Sequence, residues 1–192
     1  GLRPKGGWTS GCSLEDKPTR VRVTRPFLIG RTEVTQREWT SVMGANPSAD
    51  IECGINCPVE RVNFYDILYY LNALSDAEGL EPCYTLLGCR KTPGSGCKTH
   101  DGGDGGFVCD HAELKGLDCD GYRLPTDAEW EYAARAGSEE PFVSGACPSW
   151  DFGYIRSTPV PPGCPDVGPG SLRGPVGVHR ANAWGLQDVM GG

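Results

Sequence analysis

Gly121-Tyr122-Arg123-Leu124-Pro125-Thr126-Asp127-Ala128-Glu129-Trp130-Glu131-Tyr132-Ala133 is the stretch that decides how this chain is read. Pro125 precedes Thr126, and Thr126-Asp127-Ala128-Glu129 is a capping box. In such a box the threonine hydroxyl accepts a free backbone N–H three residues on, and the glutamate reaches back to the cap residue. A helix therefore begins after Thr126. Trp130, Ala133 and Ala134 are its expected buried stripe, and Gly137 its expected close. Arg123 and Glu129 invite a catalytic reading. Both have structural work available, however: Glu129 in the cap, and Arg123 tying loops at the helix entrance through charge-assisted bonds. The structural explanation is preferred.

Working outward, two more helices are marked by their caps. Thr35-Gln36-Arg37-Glu38 is a second capping box, with Trp39, Val42 and Met43 as an apolar face and Gly44 as the stop. Before it, Val21, Val23, Phe27 and Ile29 alternate with polar residues, which predicts a strand over 20–29. Asn63 is a good N-cap, and Asp66 suits the first turn that follows. Phe64, Ile67, Leu68, Leu71 and Leu74 then recur at helical spacing, until Gly79. The 28 glycines and 16 prolines make the rest loop-rich. A long insertion at 83–119, dominated by Gly, Lys, Thr and Asp, needs a staple to stay ordered.

The 192 residues suffice for one domain with a proper core, or at most two small ones. The net charge of −7 argues against nucleic acid, because no Lys/Arg block can replace condensed counterions. It suits calcium or a cationic ligand, although acidity mostly serves solubility. No apolar run approaches the roughly 18 residues of a membrane helix. No signal peptide is visible, and the opening Gly1-Leu2-Arg3 is in mid-sequence style, as if a leader had been removed. Ten cysteines without a CxxC pair favour a disulfide framework over zinc or free thiols. That places the protein in an oxidising compartment: extracellular, periplasmic or cell-surface. Cys53–Cys57 and Cys147–Cys164 are the expected local pairs.

His100, Asp101, Asp104, Asp110 and His111 cluster around paired glycines. Asp101, Asp104 and Asp110 are the candidate metal ligands. Carboxylates on glycine-rich backbone suit calcium, and imidazoles among them suit zinc or copper. The spacing matches no EF-hand, so a solvated, stapled loop is the default. No nucleophile elbow is present, and no glycine-rich phosphate loop sits between a strand and a helix.

Several segments together resemble the formylglycine-generating, sulfatase-modifying factor family. Phe27 to Thr35 resembles its opening strand and helix start. Asn46-Pro47-Ser48 and Pro58-Val59-Glu60-Arg61-Val62-Asn63 resemble the following loop and the second helix entry. Tyr122 to Gly137 resembles the central signature, and Asn182-Ala183-Trp184-Gly185-Leu186-Gln187-Asp188-Val189-Met190-Gly191 resembles the lead into the core. The resemblance marks Arg123, Thr126, Glu129, Trp130, Glu33, Asn182, Trp184 and Asp188 as signature positions.

It implies an α+β, C-type-lectin-like fold, loop-rich, with short twisted sheets, about three helices and disulfide staples. Enzymes of that family convert a sulfatase cysteine to formylglycine, using oxygen and a copper ion held by two cysteines. Relatives build iron-dependent sulfoxide synthases on three histidines, and others bind ligands on a variable surface. In the family the segment after Gly191 continues into core strands and the catalytic cysteines. Residues 1–192 are thus expected to form one domain, C-terminally incomplete, whose partner is a protein or peptide ligand or its own C-terminal fragment. No catalytic residue is transferred. Calcium is the expected structural ion, and copper enters only with cysteines from the continuing segment. The expected role is a non-catalytic binding module; the alternative is part of a copper-dependent oxidase.

Overall fold

The computed structural model describes residues 21–97, 106–153, 162–165 and 174–190. The chain divides into two compact units. One runs from Val34 to Leu124; the other joins Gly1–Glu33 to Pro125–Gly192.

In the 34–124 unit, α1 (Gln36–Met43) and α2 (Phe64–Ala77) begin where their caps require. Thr35 and Glu38 close the first box, Asn63 and Asp66 the second. Gly44 ends α1 with a left-handed φ of 74°, a conformation glycine adopts without a Cβ penalty. Trp39 is fully buried and stacks on Tyr70 of α2, ring centroids 4.8 Å apart. Asp66 is also fully buried, where its carboxylate accepts the Gly94 N–H at 2.7 Å. Burial raises its pKa even against that bond. Of the expected α2 stripe, Leu68 is buried and Leu71 packs on the core, while Phe64 is exposed in the first turn; Tyr70, outside that stripe, is buried as well.

The insertion is a stapled hairpin. Strand β1 (Tyr84–Leu87) pairs antiparallel with β2 (His111–Leu114), Tyr84 opposite Leu114. Cys83–Cys119 closes the base and Cys89–Cys109 closes a second rung above it. Arg90 and Val108 exchange backbone hydrogen bonds beside that rung. Leu68, Cys83 and Tyr84 form the buried core, with Leu71, Leu86, Leu114 and Leu124 packed around them. The Asn72 side chain clasps the Tyr84 backbone, donating to its carbonyl at 2.8 Å and accepting from its N–H at 3.0 Å. Gly121 passes directly against the Glu81 carbonyl and Ser75, where a Cβ has no room.

In the other unit, α3 (Asp127–Arg135) starts at Thr126 with its capping box intact. Its close differs from expectation: Ala136 is the left-handed cap, with Gly137 following it. Its buried face differs too. Glu129, Ala133 and Ala134 point inward, whereas Trp130 is 52% exposed. The box pulls Glu129 against the cap residue, which sets the inward face one position ahead of Trp130. The strand expected over 20–29 is absent from residues 21–29. Val23, Phe27 and Ile29 are half-buried, so the alternation does set the facing. A strand also needs a ladder partner, and none pairs with these residues among those described. Cys147–Cys164 closes a loop in this unit.

Candidate functional site

The signature residues make caps and ties. Glu129 accepts the Thr126 N–H at 2.8 Å and its hydroxyl at 3.1 Å, while the Glu129 N–H donates to that hydroxyl at 3.2 Å. Arg123, in the other unit, is half-buried and donates to the Leu124 carbonyl at 3.1 Å. Asn182 is buried and uses both ends of its amide. Its NH2 donates to the Ala133 and Ala134 carbonyls at 2.9 and 3.0 Å, satisfying the end of α3. Its oxygen accepts the Trp184 and Leu186 N–H groups, both at 3.0 Å. Trp184 itself is nearly half exposed and meets Tyr132 edge-on, centroids 4.8 Å apart.

Glu33 and Asp188 form a different kind of pair. Asp188 is 7% exposed and holds a left-handed φ of 57°, a conformation that costs a non-glycine residue energy. One of its oxygens accepts the Gly177 N–H. The other, Oδ1, is buried without a partner, and so is Oε2 of Glu33. Burial, with the Asp188 charge adding to it, pushes the Glu33 pKa from 4.5 up to about 7. Two unpartnered, buried carboxylate oxygens are the donor chemistry a hard cation takes. They make two ligands, fewer than the 6–8 oxygens calcium uses. The neighbouring Gln187 pins this segment, accepting from Arg31 Nε at 2.8 Å and donating to the Gly177 carbonyl at 2.8 Å.

The cluster expected around residues 100–111 is brought together only in part. His100, Asp101 and Asp104 lie outside the described residues. Asp110 is exposed and ion-paired with Arg90 at 2.8 Å. His111 faces Glu113 at 3.3 Å. Among the described residues no three His, Cys, Asp or Glu side chains converge as a metal site. Both local disulfides expected from spacing are present, Cys53–Cys57 and Cys147–Cys164. With the two hairpin bridges they commit eight of the ten cysteines. Cys97 is a thiol, and Cys12 lies outside the described residues.

Sequence reasoning missed one surface feature. Tyr69, Asn72, Ala73 and Asp76 recur at i, i+3, i+4 and i+7 on α2 and border a cavity of about 440 Å³ beside β1. The spacing was readable; the wall opposite depends on the hairpin, which was not.

A profile of the Sulfatase-modifying factor enzyme 1-like domain matches residues 3–192. The chain belongs to that family. A Paenibacillus barcinonensis protein named "Chaperone protein LppX" is 35% identical over 192 residues, covering 95% of this chain and 64% of that protein. The chain thus spans somewhat under two thirds of that relative's length. Among solved structures, Treponema denticola variable protein 1 is similar at 28% identity and a TM-score of 0.55, over 81% of this chain and 55% of that one. The family domain here is accordingly α+β, loop-rich and C-type-lectin-like, with three helices and one small sheet among the described residues. The four disulfides among its described residues fit an oxidising compartment. No helix among the described residues is long and apolar enough to cross a membrane.

Proposed function

We propose that this sulfatase-modifying-factor domain is a non-catalytic binding module of an extracellular, periplasmic or cell-surface protein, and that its ligand is a protein or peptide. The observation that carries the reading is the use of its cysteines. Eight of its ten cysteines are joined to one another as staples of loops, and the family resemblance assigns none of the ten to the copper-holding pair. Disulfides instead hold loops rigid for display, which lowers the ordering cost of recognition. The chaperone name of the LppX relative supports a ligand that is itself a polypeptide.

Calcium is proposed as a structural ion at Glu33 and Asp188, with water or backbone oxygens completing its shell; Asp101 and Asp104 lie outside the described residues. The unpartnered oxygens of that pair favour it, and the Arg90 ion pair already occupies Asp110. Bound there, calcium would supply charge balance for two buried carboxylates, while Gln187 and Gly177 hold the segment in place. A thermal-unfolding titration tests this. Millimolar calcium is expected to raise the Tm, and the Glu33→Gln and Asp188→Asn proteins are expected to lose that rise. An equal rise in both variants overturns it.

The second reading is a portion of a copper-dependent oxidase whose catalytic cysteines lie in a further segment. The family match and the 64% span of the relative favour it. One experiment separates the two. The protein with its native continuation is given copper(I), oxygen and a cysteine peptide from a sulfatase motif. Formylglycine in the peptide by mass spectrometry establishes the oxidase. Unchanged peptide, with saturable binding of a polypeptide ligand, supports the module.

A further inference from the structure

We propose that the cavity between α2 and β1 seats a lysine or arginine side chain of the partner polypeptide. The inference rests on the binding-module reading and names the chemistry of its partner.

Three observations point to a cation. The first is the lining. Tyr69, Ala73 and Asp76 come from one face of α2, and Tyr84, Leu86 and Phe107 also line the space, which holds about 440 Å³. No lysine or arginine is among the lining residues. Tyr69 is 39% exposed and stands edge-to-face with the buried Phe107, centroids 5.5 Å apart. A partly exposed aromatic ring on the cavity wall gives an alkyl stem a surface to lie on and a cation a ring to approach.

The second is the state of Asp76. Its carboxylate is exposed, and no hydrogen bond or ion pair engages it among the described residues. Neighbouring charges are already matched. Arg90 is paired with Asp110 at 2.8 Å and Lys115 with Glu81 at 2.9 Å. Glu78, on the same helix end, accepts the Tyr122 hydroxyl at 2.7 Å. Asp76 is thus the acid left over at the mouth of an apolar, aromatic groove.

The third is where the charge of the chain lies. Residues 34–124 carry 14 Asp and Glu against 7 Lys and Arg, a difference of −7, which equals the net charge of all 192 residues. The groove therefore opens on the unit that attracts cations, while the remainder of the chain is neutral by the same count. Tyr69 and Asp76 are seven residues apart on the helix, about 10 Å along its axis. A basic side chain covers the Asp76 end of that span: its charged head meets Asp76 and its alkyl stem lies on Ala73 and Leu86, toward the Tyr69 ring.

The test uses blocked pentapeptides, Gly-Ser-Lys-Ser-Gly with its arginine and norleucine counterparts, titrated into the full chain and followed by NMR. The lysine and arginine peptides are expected to shift Tyr69, Ala73 and Phe107 resonances saturably, and the norleucine peptide is expected not to. Asp76→Asn and Tyr69→Ala should each weaken binding about threefold to tenfold. Glu52→Gln, an exposed acid elsewhere on this unit, should leave it within twofold. Both test positions are exposed, and unchanged amide spectra of the free variants will show that the fold survives. Binding that is equal for norleucine, absent for all three peptides, or unaltered by Asp76→Asn and Tyr69→Ala overturns the groove assignment. A polypeptide ligand that binds both variants as well as the native chain also overturns it, and leaves the binding-module reading standing.

Discussion

The two units of this chain keep their loops in place by different means. Residues 34–124 use covalent staples: a hairpin whose base and upper rung are both disulfides, with Cys83 in the middle of the apolar core. The unit formed by 1–33 and 125–192 relies on polar side chains: Asn182 answers four backbone groups at the end of α3 and in its own turn, Gln187 answers two at 177 and 179, and Asp188 one at 177. Its single described disulfide closes a loop elsewhere, at 147–164. The difference teaches where each unit is vulnerable. A staple acts chiefly on the unfolded chain, so its loss is felt in stability at little cost to local geometry. A buried amide acts on the folded state, and its loss leaves several groups unsatisfied at once.

The largest effect is expected at the hairpin base. Cys83–Cys119 closes a span of 36 residues, worth about 4 kcal/mol by chain-entropy reckoning. The Cys83→Ser/Cys119→Ser protein should lose roughly that much in urea unfolding followed on the 34–124 unit. A loss below about 1 kcal/mol would mean that the inner Cys89–Cys109 rung already confines the loop.

Next is Asn182→Ala. It strands the Ala133 and Ala134 carbonyls and the Trp184 and Leu186 N–H groups, at about 2–4 kcal/mol. The loss should appear in hydrogen exchange at the end of α3 and through 182–186, and leave α2 amides protected. Uniform loss of protection in both units would erase the contrast drawn between them.

A smaller effect carries a pH signature. The folded Glu33 pKa, about 7, lies above its ordinary 4.5. Its contribution to stability is therefore full below pH 4.5 and is lost as pH rises through 7. With calcium chelated, native and Glu33→Gln proteins should differ in the slope of Tm against pH across that window. The native protein should fall by about 1–2 kcal/mol more, after allowance for partial solvent access. Parallel slopes would show that Glu33 titrates normally.

These contrasts also mark what the sequence could convey. All three helix starts were legible, because a capping box is local: Thr35, Asn63 and Thr126 each meet their partner three residues on. The short disulfide loops were legible for the same reason. The hairpin was not, since pairing Tyr84 with Leu114 depends on Cys83 finding Cys119 across a glycine-rich excursion with no periodicity. Of the candidate site, Glu33 and Asp188 were visible as signature positions, yet nothing in their spacing, 155 residues apart, showed that one charge would raise the pKa of the other. Trp130 misled because apolar spacing reports a face without saying which residue a cap will draw inward.

That last point yields the mildest prediction. Thr126→Ala removes the hydroxyl that accepts the Glu129 N–H and donates back to its carboxylate. The expected cost is about 1 kcal/mol, the usual worth of an N-cap. Glu129 would keep its bond from the residue-126 N–H, since that group is backbone. The inward face of α3 should then persist, and Trp130 fluorescence should keep its solvent-exposed emission. A blue shift with the same stability loss would mean that α3 rotates when half its box is removed. The threonine hydroxyl, and not Glu129 alone, would then be what turns Trp130 outward.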